Sequence, residues 1–437
     1  PCEMCIRDRR YSDHIAIPVR LKDGDKDEET VNAASALWTR PKSEIEPEQY
    51  KEFYHHVAHA FDEPWTTLHY KAEGAIEYTG LLFVPSSKPF DLFHPDRKQH
   101  VKLYVRRVFI TDDCAELLPP YLRFVRGVVD SQDLPLNVSR EMLQHNPVLA
   151  KIRTGLVKRI LGELKKKAEA EDGGYDTFWE AFGPVLKEGL YEDFERRDDL
   201  LELCRFRTTG AEGWVSLADY LGRMKDGQDA IYTITGDSID SLRKSPQLEG
   251  FAAKGVEVLL LTDPVDEFWV SAVGAYRDKP FRSVASAGAD LGKVKEPEAQ
   301  ADTPRPEAAP DGDLDALIVA VKMALGDKVK DVRVSERLTE SAVCLVADEG
   351  EMSLHLERLL RAHRQIDAER PRILEVNPRH ALIKGLAARV KANGTSDDVD
   401  DLAALLLDQA RIVEGEPPAD PVAFARRLVA VMERGLA

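Results

Sequence analysis

Residues 127–144, GVVDSQDLPLNVSREMLQ, hold the pattern on which the whole reading turns. A Leu-Pro-Leu run ends at 136, Asn137 and Ser139 offer side-chain oxygens, and an apolar-patterned helix is expected to follow. The first long side chain of that helix is Arg140. A cation in a first turn faces the positive end of the helix dipole, which is unfavourable by roughly 0.3–1 kcal/mol. Gln144 comes four residues later, on the same face. Free N–H groups at a helix start already favour an anion, and a guanidinium adds charge and a fork suited to a terminal phosphate. The pattern points to an anion met by Arg140 and Gln144. The plainer alternative pairs Arg140 with Glu141 or another surface carboxylate.

Working outward, the chain has 437 residues, so two or three domains are expected, because single cores seldom grow past about 250–300 residues. With 43% hydrophobic residues there is ample material for cores. A net charge of −17 argues against general affinity for nucleic acid or anionic membranes. No run of 18 apolar residues occurs, so no membrane span is expected. The five cysteines are too dispersed for a disulfide framework, which makes a reducing cytoplasm the expected setting. Cys2 and Cys5 lack the second ligand pair that zinc needs, so no metal is expected there. The first residues, PCEMCIRDRR, are not a signal peptide, and a chain starting with Pro looks like a piece of something longer.

Alternating strands and helices in the first half argue for an α/β sandwich. YSDHIAIPVRL (11–21) reads as a strand, and residues 46–61 as an amphipathic helix with Pro47 in its first turn and Tyr50, Tyr54, Val57 and Phe61 on one face. AIEYTGLLFVP (75–85) and VKLYVRRVFI (101–110) read as strands separated by a loop, and 119–125 as a helix. The Arg140 helix is expected to continue through LAKIRTGLVKRILGELKKKAEA (149–170), with mainly helical chain to about 225. A second strand-helix-strand unit follows at 229–270, where VEVLLL has the look of a buried parallel strand. Residues 287–312, rich in Ala, Pro and acid, read as a linker. Beyond it come a helix at 314–325, strands at 329–336 and 342–348, a helix from about Met352, and two terminal helices. The first of these, 400–414, is apolar nearly all round, including Leu402, Leu405 and Leu406. The second starts at Asp420 and Pro421 and carries Phe424, Leu428, Val431 and Met432 at helical spacing. A hairpin of two such helices leaves apolar surface that a second copy could cover, so a homodimer and packing within the domain both remain open.

No phosphate-binding loop, dinucleotide fingerprint, G-x-S-x-G or H-E-x-x-H occurs. His55, His56 and His59 could share a helix face, but without further ligands a solvated surface is the better reading.

At this point the residues resemble a known family. GVVDSQDLPLNVSREMLQ is similar to the signature of the middle domain of heat-shock protein 90 chaperones. YSDHIAIPV, ALWTR, LLFVPSSKPFDLF, KLYVRRVFITDD, YLRFVRGVVDS, IYTITGDS, GVEVLLLTDPVDEF and LEVNPRHAL support it in the family's order, and the ending looks bacterial. The resemblance implies an αβα-sandwich middle domain of two α/β subdomains joined by helices (11–286), the linker 287–312, and a smaller α+β C-terminal dimerisation domain (313–437). Residues 1–10 match nothing in the family and are left unplaced. The family's nucleotide-binding domain has no counterpart in these residues, so ATP and Mg2+ are expected mainly on that domain, and no turnover is expected from this chain alone.

The resemblance also implies roles. Arg140 aligns with the arginine that reaches the γ-phosphate, and Gln144 with its partner on the same helix. Asn137 and Ser139 are expected to shape the loop. Unfolded client proteins are expected at three places: Phe90, Leu92 and Phe93 in a loop where such side chains are hard to bury; Glu267, Phe268 and Trp269; and the stripe Met352, Leu356, Leu359 and Leu360, where Met and Leu suit promiscuous contact. The implied function is an ATP-dependent chaperone, homodimeric, with another heat-shock chaperone system as a cooperating partner. An ATP-independent holdase or dimeric scaffold is the alternative for this piece alone.

Overall fold

A computed structural model describes residues 14, 17–22, 29–30, 35–94, 100–135, 143, 146–170, 174–289, 291–294, 307–366 and 370–436. The chain is a mixed α/β protein, as expected, and divides into two compact units, 1–204 and 205–437.

The first unit opens with a short antiparallel pair, β1 (Arg20–Leu21) and β2 (Glu29–Thr30), where one longer strand was expected from 11. Its main sheet has the order β3-β4-β7-β5-β6, from β3 (Pro64–Ala72), β4 (Tyr78–Pro85), β5 (His100–Val105), β6 (Val108–Thr111) and β7 (Arg126–Ser131). β5 and β7 run parallel, and every residue of β4 and β7 is buried. The apolar run of β4 accounts for its burial, whereas β7 buries Arg126 and Asp130 as well, the latter accepting the Trp38 Nε1–H at 2.9 Å. VKLYVRRVFI is not one strand but a hairpin turning at Arg106 and Arg107. Gly127 is required where β7 crosses β4: its φ is +133°, and a β-carbon there would meet the Leu81 carbonyl oxygen at 2.2 Å.

Helix α1 (Pro47–Ala58) has Pro47 in its first turn and lays Tyr54 and Val57 against Trp38, Leu81, Phe83 and Val128. It stops at Ala58 because His59 takes a left-handed conformation. Phe61 therefore lies beyond the helix and is fully exposed, contrary to the expected face. His55 bonds the Asp62 carbonyl oxygen at 2.9 Å.

The expected helix at 119–125 shrinks to one 3-10 turn, Pro120–Leu122. The long helix does not run on from Arg140 either. Asn146 is extended and its side chain accepts from the Val148 and Leu149 N–H groups, so α2 (Pro147–Glu169) starts afresh with Pro147 at its first position. α3 (Gly174–Glu192) and α4 (Arg197–Leu203) complete the unit.

The second unit contains β8 (Arg207–Thr208), α5 (Leu217–Gly222), β9 (Ile231–Thr235), α6 (Ile239–Leu242), α7 (Glu249–Ala253), β10 (Val258–Leu261), α8 (Asp266–Val273), β11 (Ala275–Tyr276) and β12 (Lys279–Ser283). The sheet order is β11-β12-β9-β10-β8, and β10 is the fully buried strand, parallel to β9, that its sequence suggested. The single helix expected over 238–255 is broken, because Pro246 lacks the N–H to continue it and opens a separate 3-10 turn capped by Ser245.

Farther along, α9 (Asp311–Leu325), β13 (Val329–Val334), β14 (Val343–Val346), α10 (Leu354–Ala362), β15 (Arg372–Val376), α11 (Ala381–Asn393), α12 (Asp397–Val413) and α13 (Pro421–Leu436) follow. Two of these went unread in the sequence, and one of them, β15, is the central strand of the order β13-β15-β14. The other, α11, packs Ile383, Leu386 and Ala387 into a core shared with Leu317 and Val321 of α9 and Val399, Ala403 and Leu406 of α12.

Candidate protein-interaction surface

Helix α10 is seated the wrong way round for an amphipathic helix. Ser353 caps it through the Leu356 N–H at 3.0 Å and also donates to Glu267 at 2.9 Å. Its one buried residue is Glu357, 2% exposed, which ion-pairs with Arg372 and accepts the Arg370 N–H at 2.9 Å. The next residue, Arg358, donates to Asp237 at 2.6 Å and to the Glu414 carbonyl oxygen at 2.8 Å. Arg361 pairs with Glu416. His355 stands between two carboxylates, Glu267 at 2.9 Å and Asp237 at 3.3 Å. Leu354 is the residue of α10 that packs against the apolar core.

Positions 354, 357, 358 and 361 thus form the inward face, mostly charged. The apolar stripe Met352, Leu356, Leu359 and Leu360 is left only half-buried. Ordinary folding buries the apolar stripe and solvates the charges. Here polar contacts do the anchoring. Beneath them Gln247 donates to Glu414 at 2.9 Å, and burial pushes the Glu414 carboxyl up to about 7.

Glu267 belongs to this seat, its carboxylate occupied by Ser353 and His355 rather than offered outward. Of its neighbours on α8, Phe268 is exposed, but Trp269 is not. Its ring packs on Phe206 and Phe281 and its Nε1 donates to Asp266 at 2.6 Å. In the first unit Phe90 and Phe93 are exposed, with the Lys88 ammonium 4.4 Å over the Phe93 ring. Leu92 is buried instead of exposed. Arg123 fastens the loop by donating to the Leu92 carbonyl oxygen at 2.8 Å while it pairs with Glu188. The loop therefore offers two aromatic side chains, not three apolar ones.

On α13 the Asp420 side chain accepts the Val422 and Ala423 N–H groups, both at 3.0 Å. Leu428 and Met432 are exposed, while Phe424 and Val431 are half-buried. The helix leans on α12 through Arg427–Asp401 at 2.9 Å and Arg434–Asp398 at 2.7 Å. Leu402 and Leu405 are half-buried, whereas Leu406 faces the unit's own core. Two further apolar side chains that sequence reading passed over, Val319 and Met323, stand exposed four residues apart on α9. Asn137, Ser139, Arg140 and Gln144 lie outside the described residues; the segment leaves from the end of β7 and returns at Asn146. Among the described residues no cluster of His, Cys, Asp or Glu could hold a metal ion, and no helix is long and apolar enough to cross a membrane.

The helix is thus anchored by charge, with its apolar stripe half-buried. The family model described as Hsp90 protein matches residues 18–437, and the chain belongs to the Hsp90 family. It is 79% identical over 428 residues to the chaperone protein HtpG of Paramagnetospirillum magneticum, covering 98% of this chain and 68% of that protein. It is 60% identical over 434 residues to the protein of the same name from Rhodospirillum rubrum, and 55% over 430 residues to that of Roseobacter denitrificans, with the same shares covered in each.

Proposed function

We propose that this chain is the middle and C-terminal part of an ATP-dependent chaperone, with residues 11–286 and 313–437 as its domains and 287–312 as the linker between them. It holds unfolded or partly folded proteins in the cytoplasm. The observation that carries the reading is α10, whose apolar stripe is left partly accessible because its charged face is the anchored one. The names of the relatives agree with it. ATP and Mg2+ belong mainly to a separate nucleotide-binding domain, toward which Arg140 and Gln144 reach. Arg140 supplies positive charge at the γ-phosphate and Gln144 helps orient it.

Met352→Asp with Leu356→Asp should weaken capture of a reduced, carboxymethylated, permanently unfolded protein about tenfold. The melting temperature should stay within about 2 °C, because these side chains are half-exposed. Phe61→Asp, at an exposed position in the first unit, should leave capture unchanged. Equal capture by the double variant and the parent would remove α10 as the binding face.

The reading also makes the chain a homodimer through α12 and α13. Light scattering at about 10 μM should give twice the chain mass. Leu428→Asp with Met432→Asp should return it to one, and a monomeric parent at that concentration would refute the pairing.

A further inference from the structure

The β5–β6 hairpin turns on two residues, since Val105 pairs with Val108. Arg106 and Arg107 both stand at positive φ, 49° and 67°. Asn-Gly fills such a turn readily, whereas the Cβ of an arginine crowds the following carbonyl oxygen there. A second hairpin, at Arg277 and Asp278, has the same geometry with φ of 45° and 64°, so the turn alone marks nothing. The surroundings differ.

Arg106 and Arg107 line a cleft of about 720 Å³ together with Arg40, Lys42 and Lys71, and Glu77 is the one carboxylate among its described lining residues. Five cations converge there in a chain whose net charge is −17. Lys71 pairs with Glu73 at 2.7 Å, outside that lining. Arg40 donates to the Glu44 carbonyl oxygen, and Arg106 to that of Gln132 at 3.1 Å, contacts that hold the guanidinium groups without neutralising them. Among the described residues no carboxylate forms an ion pair with Arg40, Lys42, Arg106 or Arg107. Beneath the turn, buried Asp130 accepts the Arg107 backbone N–H at 3.2 Å and offsets part of that residue's charge. The like charges that remain in excess at one cavity concentrate counter-ions in it. Guanidinium forks fit the oxygens of a phosphate two at a time. One phosphate would leave most of this charge unmatched; several linked phosphates would match it.

We infer that this cleft, framed by Arg40, Lys42, Lys71 and the strained Arg106–Arg107 turn, is a binding site for an oligophosphate. Two sources share that chemistry, a free inorganic chain and the tail of a nucleotide. The inference rests on described residues alone and does not depend on the chaperone reading.

The test is calorimetric titration of the full chain with inorganic tripolyphosphate in magnesium-free buffer. Saturable one-to-one binding is expected at 20 mM salt, weakening about tenfold or more at 150 mM. Arg106→Asn with Arg107→Gly relieves the turn while removing both cations, so affinity should fall at least tenfold with the melting temperature equal or raised. Arg277→Asn with Asp278→Gly should leave affinity unchanged. If the site reads phosphates alone, ATP should match tripolyphosphate and AMP should bind at least tenfold more weakly. Three results overturn the inference: undiminished affinity in the Arg106/Arg107 variant, loss of binding in Arg140→Ala instead, or tighter binding of hexaglutamate than of tripolyphosphate.

Discussion

Mixed with a separate nucleotide-binding domain of the Hsp90 family, this chain should stimulate ATP turnover, and Arg140→Ala should lower the rate of the mixture about a thousandfold. Arginines supplied across a domain boundary contribute roughly 10³–10⁵ to phosphoryl transfer. The lower figure corresponds to about 4 kcal/mol of transition-state stabilisation at 1.36 kcal/mol per factor of ten. The reason is electrostatic. Charge builds on the γ-phosphoryl oxygens only as the bond breaks, so a guanidinium placed there acts on the rate and little on nucleotide binding. The drop should accordingly appear in kcat with KM nearly constant. Gln144→Ala should cost less, since an amide brings no net charge. Phosphate release at saturating ATP reads both effects. Turnover by the chain alone, or a full rate from the Arg140→Ala mixture, would refute the assigned role.

Replacing Arg372 with Ala should cost the second unit about 3–5 kcal/mol, the usual penalty when one member of a buried ion pair is removed. Arg372 is itself buried, opens β15, and donates to the Met352 carbonyl oxygen at 2.8 Å while it pairs with Glu357. Without it a carboxylate remains in a site with almost no access to water. The strain should fall first on α10, which has few apolar contacts to hold it. Urea unfolding measures the loss, and amide exchange should quicken at 353–362 before it does in β13–β15. Glu357→Leu with Arg372→Met should restore most of the stability, because neither charge is then stranded. A single variant within 1 kcal/mol of the parent would show that the pair does not hold the helix.

What the sequence disclosed depended on whether a residue's partner lay nearby in the chain. The VEVLLL run announces a doubly covered strand by itself, and Pro47, Asp420 and Pro421 announce helix starts by themselves. Asn146 and Pro147 carried the same kind of signal, but the apolar pattern on both sides suggested one continuous helix. Arg106–Arg107 contains neither Gly nor Asn, so nothing local marked the turn. β15 is short and carries Arg372 and Glu375, which look like surface residues. Their neutralising partners are Glu357 for the first and Arg333 and Arg337 for the second, with a hydrogen bond from Ser335 added, all distant in sequence. The seat of α10 was hidden in the same way, its anchors coming from 237, 267, 372, 414 and 416. The charges at 357, 358 and 361 were nevertheless at helical spacing, and that periodicity was the readable clue.

The inverted seating of α10 carries a corollary. What keeps the helix in place and what it offers to visitors are written on opposite sides of one short cylinder. Substitutions at 356, 359 and 360 should therefore reshape the greasy side with little consequence for the anchorage, so the two can be varied separately.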